Sequence, residues 1–302
     1  MRYIISIAPW PAYRDFHQVW AAAAARYDWL EIMTRRAFAA RLPELCKDER
    51  NFLIVWGYRC PVMPEGRKAT CAIGYSEAFD DDRSKMYKGH ARWLNDCQVS
   101  QFPQVDGVLC HTPWMAMKVT EGLDIDGHVL PMGWDPVLGA RDFTLGKPYR
   151  FTYNGVMAGK REWLVPAMKE ALGLDFTDVT GQWVARLNRS LNQSWASLYL
   201  THSDVQSFST FRIWQTLCSS STLVAERGRD CWPMTEEMYV GIPTLTQDNV
   251  VETARSLQAM GPSVLLDKRE ALWDSLNHMT IDHVLENYLV PASLKIRESK
   301  VS

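Results

Sequence analysis

No two cysteines in this chain stand at C-x-x-C spacing, and the seven present (at 46, 60, 71, 97, 110, 218 and 231) are scattered over 302 residues. A zinc knuckle and a disulfide framework are therefore excluded, and free thiols in a reducing compartment are expected. No apolar run approaches the ~20 residues that span a bilayer. The run Ile4–Ala8 is too short for a secretory signal and has no small-residue cleavage pattern behind it, so a cytoplasmic protein with no membrane span is expected. The seven histidines show no H-x-x-x-H or H-E-x-x-H spacing, which removes the usual zinc hydrolases. G-x-S-x-G, the Walker loop and G-x-G-x-x-G are all absent, so hydrolase, ATPase and standard dehydrogenase readings lack their anchors. An excess of one charge is missing too. A net charge of -2 does not favour DNA or an anionic membrane as partner.

The composition is otherwise that of a globular enzyme, 47% hydrophobic and 23% charged, long enough for two cores. Thirteen tryptophans are the one excess. Aromatic faces stack on sugars and nucleobases, although most of these rings are expected to serve packing.

Short apolar runs alternate with helical patterns. Strands are predicted at Tyr3–Ala8, Phe52–Trp56, Ala69–Gly74, Gly107–His111 and His128–Met132, with helices at Phe16–Tyr27 and Trp114–Glu121. The Gly- and Pro-rich stretch from Pro131 to Pro148 then breaks the rhythm as a linker. The pattern restarts with strands at Arg150–Asn154, Phe176–Val179, Ala196–Thr201, Thr222–Ala225 and Val264–Leu266. Helices are expected at Glu162–Leu172, Trp183–Ser194, Thr210–Cys218 and Val250–Met260, and from Arg269 to Glu298 with a break at Pro291. Continuous apolar strands separated by helices indicate parallel sheets covered on both faces. The expected fold class is α/β, with two Rossmann-like parallel-sheet domains over residues 1–136 and 137–270. A helical segment, 271–302, packs back toward the first.

Ligands of open parallel sheets bind beyond the carboxyl ends of the strands. The richest such end is Thr201–Arg212, polar throughout, with Ser203 in its loop and Ser209 or Thr210 as N-cap of the next helix. Backbone N–H groups at a helix start favour a phosphate. Gly159-Lys160-Arg161 follows the strand end Asn154-Gly155, and its cations can clamp a diphosphate. Basic residues at a helix start oppose the helix dipole, so a bound anion there would repay the cost.

The stretch Tyr199–Glu226 resembles the donor site of GT-B glycosyltransferases, especially the spore-maturation-type branch. Arg212-Ile213-Trp214-Gln215, Cys218-Ser219-Ser220 and Leu223-Val224-Ala225-Glu226 follow that family's spacing, and Phe151–Gly155 with Arg161 resembles the opening of its C-terminal half. Residues 128–260 carry the similarity. Gln215 stands where the family has its ribose-binding Glu, Ser220 where it has a turn Gly, and Ser207 where many retaining members have a Glu.

The resemblance implies a metal-independent GT-B enzyme, its two domains facing across a cleft, that moves a sugar from a nucleotide-diphosphate sugar to an acceptor hydroxyl. No cofactor is implied beyond that donor substrate. Donor-site candidates are Gly155, Lys160, Arg161, Ser203, Ser209, Thr210, Arg212 and Gln215. The acceptor is open: a small molecule, a glycan, a protein or a modified DNA base. A base for its hydroxyl would come from Asp15, His17 or Glu77, with Ser76 and His111 also at strand ends of the first half. Asp80-Asp81-Asp82 reads as a solvated acidic loop rather than a metal motif, because Tyr75–Phe79 separates it from the strand. A non-catalytic nucleotide-sugar-binding module and a sugar-nucleotide epimerase or hydrolase on the same fold are the alternatives.

Overall fold

The computed structural model describes residues 1–7, 14–56, 61–75, 100, 102–123, 125–155, 157, 159–201, 210–227 and 230–301. The chain divides into two compact units, Met1–Gly133 with Thr280–Ser302, and Trp134–Met279.

The first unit is built on six parallel strands in the order β2-β1-β3-β4-β5-β6. They are β1 (Arg2–Ile7), β2 (Leu30–Thr34), β3 (Asn51–Trp56), β4 (Thr70–Tyr75), β5 (Gly107–Cys110) and β6 (Gly127–Val129). β3 and β4 are buried at every position, as strands with covered faces on both sides must be. Helices α1 (Arg14–Ala24), α2 (Arg35–Leu45) and α3 (Pro113–Leu123) belong to this unit. Phe38, Leu42, Leu53, Val55, Ile73 and Val119 are among the residues of its main core. Trp56 pairs with Gly74 across β3 and β4, and a Cβ on Gly74 would lie 2.0 Å from the indole ring. The glycine makes room for a fully buried tryptophan.

The second unit holds five parallel strands in the order β11-β10-β9-β7-β8. These are β7 (Tyr149–Tyr153), β8 (Phe176–Asp178), β9 (Ser194–Tyr199), β10 (Thr222–Glu226) and β11 (Val240–Ile242). Its helices are α4 (Arg161–Leu172), α5 (Val184–Asn192), α6 (Thr210–Leu217), α7 (Val250–Ala259) and α8 (Pro262–Leu276). Phe151, Leu164, Met168, Leu198, Val224 and Leu257 belong to the core. Two parallel-sheet α/β units, as expected, make up the chain.

Several elements differ from expectation. β2 and α2 lie in a stretch that reads neither as a clean strand nor as a clean helix. β2 has only two buried positions in five, and α2 contains Pro43. β11 is a three-residue strand, too short to show a pattern. The predicted strand Val264–Leu266 is instead part of α8, which opens with Pro262 at its first turn, where a missing N–H costs nothing. The residues after Met279 return to the first unit as α9 (Ile281–Val284), a π-helical turn (Leu285–Leu289) and α10 (Val290–Val301). Pro291 lies two residues after the π-helical turn. The wider turn accommodates a ring that would clash with an α-helical carbonyl, so helix continues through the expected break. No helix among the described residues is long and apolar enough to cross a membrane.

Candidate functional site

Both sheets carry a topological switch point, where successive connections leave a strand in opposite directions. In the second unit it lies between β7 and β9. The carboxyl ends that flank it are Tyr153-Asn154-Gly155 and Tyr199-Leu200-Thr201, with Glu226 ending β10 beside them.

Arg161 is the first residue of α4, and its Nε donates to the Leu200 carbonyl at 2.6 Å, just past the end of β9. Its guanidinium lies 5.9 Å from the centre of the Tyr199 ring. Arg212, in the first turn of α6, donates from Nη1 to Gln215 Oε1 at 2.9 Å. Gln215 is buried. Arg161 and Arg212 both act electrostatically on the Tyr153 hydroxyl. Burial pushes its pKa up, and both guanidiniums pull it back. The fold therefore brings two arginines 51 positions apart in the chain (212 minus 161) into electrostatic range of one strand end.

Gly155 serves through close approach rather than through an unusual φ. A Cβ there would sit 2.4 Å from the Tyr153 hydroxyl. The Gly155 carbonyl accepts from Thr180 Oγ1 at 2.9 Å, and Asn154 Nδ2 donates to the Gln182 carbonyl at 3.3 Å. The loop after β8 is thus tied to the end of β7. It ends at Val184, a β-branched residue held at φ 47, a conformation that stores strain.

Lys160 turns to a protein partner. Its Nζ is 2.6 Å from Glu226 Oε1, and both side chains are nearly inaccessible, at 10% and 1%. Glu226 also accepts from the Leu245 N–H at 2.8 Å, the Thr201 N–H at 2.5 Å and Thr201 Oγ1 at 2.7 Å. Its two oxygens join the carboxyl ends of β9 and β10, the chain after β11 and the start of α4.

Thr210 begins α6, and the structure does not describe its side chain; Ser203, Ser207 and Ser209 lie outside the described residues. Ser220 falls at the other edge of the sheet, just before β10. Its N–H donates to Asn192 Oδ1 at 2.7 Å, and its Oγ donates to the Asp142 carbonyl at 3.0 Å. Among the described residues Val184 is the non-glycine residue at positive φ, so the turn at Ser220 does not need a glycine. Lys147 Nζ donates to Ser220 Oγ and to the carbonyls of Asn192, Ser194 and Ser220. Burial and the nearby Arg269 bring its pKa down to about 8.

In the first unit, Asp15 and His17 are both on α1, Asp15 buried and His17 half-buried. Two positions apart on a helix, they face different directions and form no pair. Glu77, Ser76 and the Asp80–Asp82 run lie outside the described residues. His111 directly follows β5 and is buried, with Nδ1 3.2 Å from the Leu130 carbonyl and its ring 5.0 Å from that of Trp56. Burial drives its pKa down to about 4, so it is a neutral imidazole. Among the described residues no group of three or more His, Cys, Asp or Glu could hold a metal. Cys46, Cys71, Cys110 and Cys218 are free thiols, and Cys231 Sγ lies 3.5 Å from the Tyr239 hydroxyl; Cys60 and Cys97 lie outside the described residues.

From the sequence, Glu226 stands out only through the family spacing, with no partner assigned, and Tyr153 only as part of a strand. An aromatic hydroxyl two residues before a strand-end glycine was the available signal.

No family model matches the chain, and no curated protein does. Solved structures match in fold. A sucrose-phosphate synthase from Thermosynechococcus elongatus superposes with a TM-score of 0.63 at 10% identity, covering 100% of both chains. A variant of S. aureus TarM in complex with UDP gives a TM-score of 0.56 at 10% identity over 87% of this chain. This chain spans 57% of TarM's length. An E. coli trehalose-6-phosphate structure with UDP-2-fluoro glucose bound gives 0.58 at 11% identity, covering 94% of this chain and 84% of the other. The fold is the GT-B glycosyltransferase fold.

Proposed function

We propose that the protein is a glycosyltransferase that takes its sugar from a nucleoside-diphosphate donor bound at the carboxyl edge of the second sheet. Arg161 and Arg212 hold the diphosphate, Gln215 reads the ribose, and Gly155 lets the backbone approach. Ser203, Ser209 and Thr210 complete the set of donor-binding candidates on this reading. The observation that carries it is the seat of Arg161 at the start of α4, its Nε on the Leu200 carbonyl beside the β7–β9 switch point, with Arg161 and Arg212 both in electrostatic reach of the Tyr153 hydroxyl. That placement suits a leaving group that gains negative charge. The UDP and UDP-sugar in structures of the same fold support the choice of donor class.

In the reaction the bond from the anomeric carbon to the diphosphate oxygen breaks, and its electron pair leaves on the diphosphate. The acceptor oxygen bonds to the anomeric carbon as its proton passes to a base. Asp15, His17 and Glu77 are the candidates for that base. Cationic side chains replace a metal in stabilising the leaving group. Lys160 acts indirectly, since its contact is with Glu226. The spore-maturation-type branch is supported by the residues of Tyr199–Glu226 alone.

A second reading, a binding module without turnover, is favoured by Gln215. Its amide lacks the charge with which a carboxylate would grip a ribose hydroxyl. A panel of UDP-, GDP- and ADP-sugars, assayed for binding, free sugar and transfer to simple acceptors, separates the readings. Transfer with release of nucleoside diphosphate is expected. Binding without turnover would favour the module, free sugar a hydrolase, and an isomerised sugar an epimerase. Binding of none would reject the proposal.

A further inference from the structure

The Tyr153 hydroxyl is a buried polar group with nothing to bond. The residue is 1% exposed, and its oxygen has no hydrogen-bond partner among the described residues. Leaving such a group unpaired inside a fold is costly, and one that persists calls for a reason. A phenylalanine would pack the same core: the ring lies parallel to that of Phe176 at 6.5 Å and needs no oxygen for that contact.

The oxygen is also well placed. It stands over Gly155, where any side chain would collide with it, so it sits at the carboxyl end of β7 beside the switch point. Arg161 and Arg212 both act on it. A neutral O–H in the field of two guanidiniums is unsuited to hold a cation. It suits an anion, to which it can donate while the arginines supply the charge.

We infer that Tyr153 is a binding residue of the anion site, its hydroxyl donating to an oxygen of the donor's diphosphate alongside Arg161 and Arg212. The inference rests on the donor site proposed above and adds a residue to it. The hydroxyl is unpartnered without ligand and partnered with it. Removing it should therefore spare the empty protein and weaken only the complex. A hydroxyl kept for structure would behave in the opposite way.

The test is Tyr153→Phe, with affinity for UDP, GDP, ADP and the corresponding nucleosides measured beside thermal stability. For the nucleoside diphosphate that the wild type binds best, affinity should fall about tenfold. Affinity for the matching nucleoside should not change. The melting temperature of the free variant should match or exceed that of the wild type, and the shift induced by the diphosphate should shrink. Equal diphosphate affinity in variant and wild type would overturn the role of Tyr153 and leave the donor site standing. A lower melting temperature with an undiminished ligand shift would do the same. A wild-type protein that binds none of the three diphosphates would overturn both.

Discussion

Lys160 and Glu226 form a buried ion pair, 2.6 Å apart, between the residue preceding α4 and the last residue of β10. The lysine resembles a phosphate ligand by position and opposes the helix dipole where it stands. Its partner explains it. Glu226 is 1% exposed and fills its two oxygens with four donors, one of them Lys160. The carboxylate fixes the framework on which Arg161, the next residue, is aimed.

Breaking that pair by removing one side should be costly, because the other charge stays buried. Lys160→Ala is expected to destabilise the protein by about 3–5 kcal/mol. Lys160→Met combined with Glu226→Gln should cost less than the sum of the two single changes. Urea unfolding of the wild type, Lys160→Ala, the two single changes of the cycle and the double variant checks this. Additive effects would mean that the pair carries no coupling.

Gly155→Ala should be destabilising by about 1–3 kcal/mol, as overpacking usually is, since its Cβ would meet the Tyr153 oxygen at 2.4 Å. In a Tyr153→Phe background the cost should fall without vanishing, because the ring carbon bearing that oxygen would still lie 2.8 Å from the Cβ. The two costs, compared by thermal or urea unfolding, report the contact directly. An equal cost in both backgrounds would contradict it.

His111 predicts the acid side of the stability profile. Its folded pKa of about 4 lies below the ordinary 6.5. Between those values the unfolded chain takes up a proton that the folded protein refuses. Stability from this residue is therefore complete above pH 6.5 and is lost as the pH falls toward 4, by about 3 kcal/mol in all. His111→Gln should flatten the difference between pH 7 and pH 4.5 by a sizeable part of that amount. An unchanged slope in the variant would show that the imidazole is not protected from protons.

The parallel architecture was legible because buried strands such as Phe52–Trp56 and Ala69–Gly74 are apolar at nearly every position. β2, α2 and β11 were not, since each is too short or too mixed to show a period. At Val264–Leu266 the apolar run belonged to a helix, a distinction that three residues cannot make. The site was legible as a set of strand ends. Its internal pairing was not. Nothing in the sequence tells a lysine aimed at a ligand from one aimed at Glu226, because that choice depends on which strand ends the sheet order makes neighbours.

The central claim is that Arg161 and Arg212 share one diphosphate, and the affinity of Arg161→Ala and Arg212→Ala for the nucleoside diphosphate that the wild type binds best tests it most directly. Each change removes a charge-assisted contact, so each should weaken binding by roughly ten- to a hundredfold. Thermal stability measured alongside should change modestly, with Arg161→Ala also losing its bond to the Leu200 carbonyl. The account predicts a large loss of affinity in both variants with the fold retained. Wild-type affinity in both would contradict it.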